Sequence, residues 1–154
     1  MKTTMLPATV IALALTGASP SFAQDPFGTW LTPEGKATVK VADCGGALCA
    51  TILSLKQPND PTTGRPQLDR GNSDVSKRNR PVVGVQLLMG MKPQGPNKWV
   101  GQAYNPEDGN IYPATATLVN ANTLNVQGCI LGGMICRTFA WTRKPDAAAR
   151  AQAQ

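Results

Sequence analysis

The chain has 154 residues, 42% apolar, 5% aromatic and 16% charged, with a net charge of +6 and no histidine. That length suits one ordinary domain. The missing histidine excludes Ser-His-Asp triads, Cys-His dyads, histidine-held metals and histidine pH switching.

Lys2 precedes the apolar run Met5 to Ala18, and Ser21-Phe22-Ala23 supplies small residues before Gln24. This pattern reads as a secretory signal peptide over residues 1–23. The apolar run is too short to span a bilayer as an anchor, and no cysteine follows the cleavage site to take a lipid. Losing Lys2 lowers the charge from +6 to +5. The expected product is periplasmic or secreted, with no membrane span. Its dispersed positive charge fits weak attraction to anionic ligands, not the reading of nucleic acid.

From residue 24 the dominant signal is a period of two, which marks half-buried strands. Gly28 to Leu31 opens the set. Lys36 to Val41 alternates Ala37, Val39 and Val41 with polar residues, and Leu48 to Leu55 is β-rich. Lys56 to Arg80 has no strand pattern and reads as a long loop of net charge +3. Loops of that length are uncommon and usually functional. Val82 to Leu88 reads as the next strand. Trp99 to Asn105 and Ile111 to Val119 flank the turn Pro106-Glu107-Asp108-Gly109. Tyr112, Ala114, Ala116 and Leu118 share one face of the second. Thr123 to Gly128 follows, and Arg137 to Arg143 closes the series with Arg137, Phe139, Trp141 and Arg143 on one face. Residues 24–144 thus read as one all-β domain, an eight-stranded antiparallel up-and-down barrel, with a two-sheet sandwich as the alternative. Residues 145–154 read as a flexible tail.

Four cysteines allow three pairings. Cys44 and Cys49 flank Gly45-Gly46, and Cys129 and Cys136 flank Gly132-Gly133, each set between strand-like segments. In an oxidising compartment this predicts two hairpin disulfides, Cys44–Cys49 and Cys129–Cys136. The alternative of a four-cysteine zinc site lacks its usual two-residue spacings.

Several motifs stand in a fixed order: Gly28-Thr29-Trp30, Asp43-Cys44-Gly45-Gly46-Ala47-Leu48-Cys49, Asp69-Arg70-Gly71-Asn72-Ser73-Asp74, Arg78-Asn79-Arg80-Pro81, Tyr104-Asn105-Pro106-Glu107-Asp108-Gly109, Tyr112 and Trp141-Thr142-Arg143. Together, over residues 26–144, they resemble the exported bacterial family called domain of unknown function 2147, whose fold is a lipocalin-type, or calycin, barrel. The resemblance implies a barrel and ligand binding, and supplies no established activity. The family's Asn-Pro-Asp is replaced here by Asn72-Ser73-Asp74, which removes a stiffening proline. Gly28-x-Trp30 with Arg143 also resembles the calycin pattern in which an arginine covers a tryptophan at the closed end. Trp30, Trp141 and Arg143 are structural in that reading.

The sharpest chemical grouping is Asp69 and Asp74 beside Arg78 and Arg80. Two carboxylates can cleave a sugar bond, but they equally shape a loop by pairing with arginines and backbone amides. The structural reading is preferred, and a hydrolase ranks last. Calcium at Asp69, Asn72 and Asp74 lacks EF-hand spacing. Glu107 and Asp108 belong to a turn, and no Ser-x-x-Lys replaces the absent histidine base. If Phe139 and Trp141 face inward, Arg137 and Arg143 do too, and an inward arginine needs an anion; a barrel filled by side chains, with both arginines at its ends, is the reading slightly preferred for this grouping. The expected protein is therefore a non-enzyme without catalytic residues, cofactor or metal. It binds a small, partly apolar, anionic molecule, an amphiphile in the barrel mouth, with the long loop as lid. Asp69, Asn72, Asp74, Arg78, Arg80, Arg137 and Tyr112 are the candidate ligand and loop residues. The alternative is an envelope protein-interaction module.

Overall fold

A computed structural model describes residues 24–145; the expected leader, 1–23, and residues 146–154 of the expected tail lie outside the described residues. Eight strands follow one another: β1 Gly28–Leu31, β2 Ala37–Asp43, β3 Leu48–Leu55, β4 Gln86–Pro93, β5 Lys98–Asn105, β6 Asn110–Asn120, β7 Thr123–Ile130 and β8 Ile135–Arg143. Each pairs antiparallel with the next, and β8 returns to β1, closing the barrel.

Alternation along the strands builds the interior. Val39 faces Trp30 on β1 and Ile52 on β3, Val41 faces Ala50, and Ala50 faces Leu88. On the far wall Ala116 faces Val126 and Leu124 faces Trp141. All of these are buried, and Trp30, Val39, Val41, Leu88, Met91 and Leu124 are fully so. Burying such side chains stabilises the fold by about 1.5–3 kcal/mol each.

One end of this barrel is sealed. The Arg143 guanidinium lies 4.2 Å from the centre of the Trp30 ring. It donates to the carbonyls of Phe27 at 2.7 Å, Asp25 at 2.6 Å and Ala121. The chain entering β1 and the β6–β7 turn are thereby tied over the indole, while Trp30 Nε1 donates to Pro26 O at 2.9 Å. Arg143 stacks on the aromatic face and satisfies three carbonyls at once.

The cysteines form the bridges Cys44–Cys49 and Cys129–Cys136, with Cα–Cα distances of 5.9 and 4.1 Å. Both join cysteines across a hairpin, at opposite ends of the barrel. Among the described residues, no helix is long and apolar enough to cross a membrane.

The strand expected over Val82 to Leu88 is displaced. Gly84, at φ 92°, turns the chain, and Val85 N donates to Val82 O at 3.1 Å. Val82 and Val85 are nonetheless buried, because they pack into the hydrophobic core from the loop. β4 starts at Gln86 and runs to Pro93 through a bulge between Met89 and Lys92. That bulge breaks the period of two and hides the strand from a reading by alternation. It also presses backbone inward: a Cβ on Gly101 would meet Gly90 O at 2.6 Å.

Candidate functional site

The end opposite Trp30 carries the β1–β2, β5–β6 and β7–β8 turns and the long β3–β4 connection. Here inward-facing side chains are less completely buried. Phe139 faces Val126 across the β7–β8 ladder, so it points inward, yet it remains 41% exposed while Val126 is buried. Next along that face is Arg137, opposite Gly128, and Gly128 is in turn opposite Ala114 on β6. Tyr112 precedes Ala114 on the same inward face. Gly128 leaves room between Arg137 and Tyr112, for a Cβ there would lie 3.9 Å from the Tyr112 Cβ. Arg137 also sits 6.0 Å from its own Phe139 ring. The mouth therefore joins an exposed ring, small residues at positions 114 and 128, and a guanidinium.

Tyr112 donates its hydroxyl to Asp108 Oδ2 at 2.7 Å, which raises the Tyr112 pKa. Partial burial acts to raise the Asp108 carboxyl, but hydrogen bonds from Tyr112, Asn110 and Asn105 outweigh it and lower its pKa. On the rim Lys36 Nζ meets Glu107 Oε1 at 3.2 Å, linking the β1–β2 and β5–β6 turns. Both side chains are well exposed, so the pair contributes little stability.

The second grouping lies on the outer wall. Ala103 faces Tyr112 and points inward, so its neighbour Tyr104 points outward. Tyr104 is buried all the same, because the long loop folds against it. Asp69, with no exposed side-chain surface, receives the Tyr104 hydroxyl on Oδ1. Its Oδ2 receives Asn72 Nδ2 at 2.8 Å, Arg80 Nε at 2.9 Å and Arg80 Nη2 at 2.8 Å. Asn72 Nδ2 also reaches the Tyr104 oxygen at 3.0 Å. Burial acts to raise the Asp69 carboxyl, but the bonds from Tyr104, Asn72 and Arg80 prevail and hold it below the usual carboxylate range. Burial and the bond to Asp69 push the Tyr104 hydroxyl up to about 12.

The loop is fastened to the β5–β6 turn as well. Ser73 N donates to Gly109 O at 3.1 Å, and Gly109, at φ 74°, passes so close to Gly71 that a Cβ would sit 1.7 Å from Gly71 O. Only glycine fits there.

A model of the family described as uncharacterized proteins conserved in bacteria (DUF2147) matches residues 28–143. The chain belongs to the DUF2147 family. Among solved structures, this DUF2147 chain is similar to protein HP1028 from Helicobacter pylori, described as belonging to the lipocalin family. The TM-score is 0.67 and the identity 24%, over 84% of this chain and 90% of that one. The likeness shows the fold, a lipocalin-like closed barrel.

Within this DUF2147 barrel the candidate residues separate into two places. Arg137 and Tyr112 stand at the mouth. Asp69, Asn72 and Arg80 meet on the outer wall around Tyr104. Arg78 donates to Asn72 O at 2.8 Å, and Asp74 caps the short turn Val75–Lys77, binding Ser76 N at 3.0 Å and Lys77 Nζ at 3.2 Å. Asp69 and Asp74 thus face different partners and do not converge as an acid/base pair. A sealed carboxylate with its lone pairs taken up and its pKa lowered is badly placed to move a proton. Among the described residues, no three His, Cys, Asp or Glu side chains gather as metal ligands. Two functional neighbours escape a sequence reading, Tyr104 and Gly128. Tyr104 needs knowledge of which wall the loop covers, and Gly128 matters through the side chain it lacks.

Val100, Pro113, Ala114, Thr115, Cys129, Gly132 and Gly133 line a groove of about 360 Å³ beneath the β7–β8 tip.

Proposed function

We propose that this protein is an exported barrel that binds a small, partly apolar molecule with an anionic end at the mouth beside Phe139. The observation that carries the reading is the exposure of an inward-facing aromatic ring in a barrel whose other half is packed solid. An apolar body would lie on Phe139 and against Ala114 and Gly128. Arg137 would take a carboxylate or phosphate head. The loop Lys56 to Arg80 serves as a fixed wall at this end, since Asp69, Asn72 and Arg80 anchor it to Tyr104. Two disulfides support folding in an oxidising, extracytoplasmic compartment. The family and the lipocalin-like fold support binding over catalysis.

The test is titration of delipidated protein with a fluorescent fatty acid at low and moderate salt. Saturable binding is expected, weakened about tenfold in Arg137→Ala, with the gap shrinking as salt screens the head group. Absence of saturable binding by the wild type overturns this ligand class.

A further inference from the structure

The β7–β8 hairpin outruns the strands beside it. Pairing of β7 with β6 stops at Gly128, opposite Ala114, and β8 meets β1 only at Thr142 and Arg143. Residues 129–136 are thus paired only with each other, through Cys129↔Cys136, Ile130↔Ile135 and the Cys129–Cys136 bridge. A two-stranded hairpin alone is marginally stable, and the disulfide holds this one in shape. Gly132 and Gly133 line the groove beneath the tip. Its large side chains, Ile130, Leu131, Met134 and Ile135, are left 45% to 85% exposed.

From Cys129 to Cys136 the tip has no charged, hydroxyl or amide side chain. Leu131 also sits in the left-handed region, at φ 52°. Leucine there costs backbone energy that glycine or asparagine would largely avoid, so the turn keeps an apolar side chain against its own geometry. A cluster of exposed apolar residues marks an interaction surface. Protein interfaces combine apolar contact with hydrogen bonds, for which this tip offers no side chain; a lipid surface needs none.

Charge favours an anionic lipid surface. The first charge behind the tip is Arg137, which is exposed and, among the described residues, in no ion pair. The loop Lys56 to Arg80, at the same end of the barrel, carries +3. Of the acids on the neighbouring turns, Glu107 pairs with Lys36 and Asp108 holds the Tyr112 hydroxyl, leaving Glu34 against that surplus. Ile135, Arg137 and Phe139 alternate onto one face of β8, so apolar surface leads from the tip to the mouth past the guanidinium.

We propose that the β7–β8 tip seats the barrel on an anionic lipid bilayer. Leu131 and Met134 enter the boundary between headgroups and acyl chains, and Arg137 and the long loop lie against the headgroups. The mouth then opens at the bilayer surface, where an amphiphile can pass along Ile135 to Phe139; this last step rests on the ligand reading above.

Flotation with mixed vesicles of phosphatidylcholine and phosphatidylglycerol tests the proposal. The wild type should float with them and less with phosphatidylcholine alone, and added salt should narrow that gap. The double variant Leu131→Asn, Met134→Gln should bind the mixed vesicles at least about tenfold more weakly. Asparagine suits the left-handed position, and native tryptophan fluorescence verifies the fold. The tryptophan added in Met134→Trp should be quenched by lipids brominated in the acyl chain. That in Val119→Trp, exposed beside the β6–β7 turn at the closed end, should not. A wild type that floats with no vesicle, a double variant that floats as the wild type does, or equal quenching from positions 134 and 119 would overturn the proposal. Without vesicles the double variant should keep the wild-type affinity for fatty acid. A wild type that floats but binds no fatty acid contradicts the mouth reading alone, so the two ideas fail separately.

Discussion

Replacing Tyr104 by Phe removes one oxygen from the outer-wall cluster and little else. That oxygen donates to the buried Asp69 carboxylate and accepts from Asn72. A hydrogen bond to a charged group is worth about 1.5–3 kcal/mol net, and the orphaned Asn72 contact adds to the loss. The expected destabilisation at pH 7 is about 2–3 kcal/mol, read by urea unfolding with tryptophan fluorescence. The pH dependence supplies a second, independent number. The Tyr104 pKa is raised to about 12 in the folded protein from an ordinary value of 10.0. A raised pKa stabilises the fold fully below pH 10, and that stability drains away as pH climbs through 12. That stability is roughly 3 kcal/mol in all, about half of it gone by pH 11. Wild type and Tyr104→Phe should therefore converge by that amount between pH 7 and 11, the difference cancelling the titration of other groups. A Tyr104→Phe variant within about 0.5 kcal/mol of wild type at pH 7, or a gap that stays constant to pH 11, would refute the reasoning.

Trp30→Ala should cost about 3–5 kcal/mol, because it empties the sealed end and strips Arg143 of its stacking surface; calorimetry or urea unfolding measures it. Gly109→Ala should cost more than about 2 kcal/mol, since it adds a left-handed backbone penalty to a collision with Gly71 O, and limited proteolysis should then cut the freed loop. On the acid side, the lowered pKa of Asp69 means stability that is present above the ordinary carboxylate range and lost as pH falls through its folded value. Asp69→Asn should flatten that acid-limb dependence in a pH series of unfolding curves.

Much of the barrel was legible because its strands face a filled interior on one side and solvent on the other, so apolar residues recur at every second position. Val39 and Val41, or Ala114 and Ala116, announce themselves in this way. Both disulfides were legible for a related reason, each pair of cysteines standing across a Gly-Gly hairpin. The fourth strand was not. Its bulge at Met89 to Lys92 breaks the alternation, and the β-branched run before it packs as loop around Gly84. At the outer wall, Asp69, Asn72 and Arg80 lie close in sequence and were readable as one group. Their focus, Tyr104, comes from another strand, and whether a strand residue looks in or out at a covered wall depends on where the loop falls. The mouth was readable in Arg137 and Tyr112. The space between them was not, since it depends on Gly128 standing at that register position.

The account rests on an open mouth, and Gly128→Leu tests it most directly. Gly128 adopts ordinary strand backbone, and a side chain there would meet Tyr112 at van der Waals distance, so the substitution fills the gap below Arg137 without forcing the strand. In an isothermal titration with a fatty acid, the wild type should bind saturably and the folded Gly128→Leu protein should bind at least tenfold more weakly. Equal affinity in the two proteins would place the ligand elsewhere and contradict the central claim.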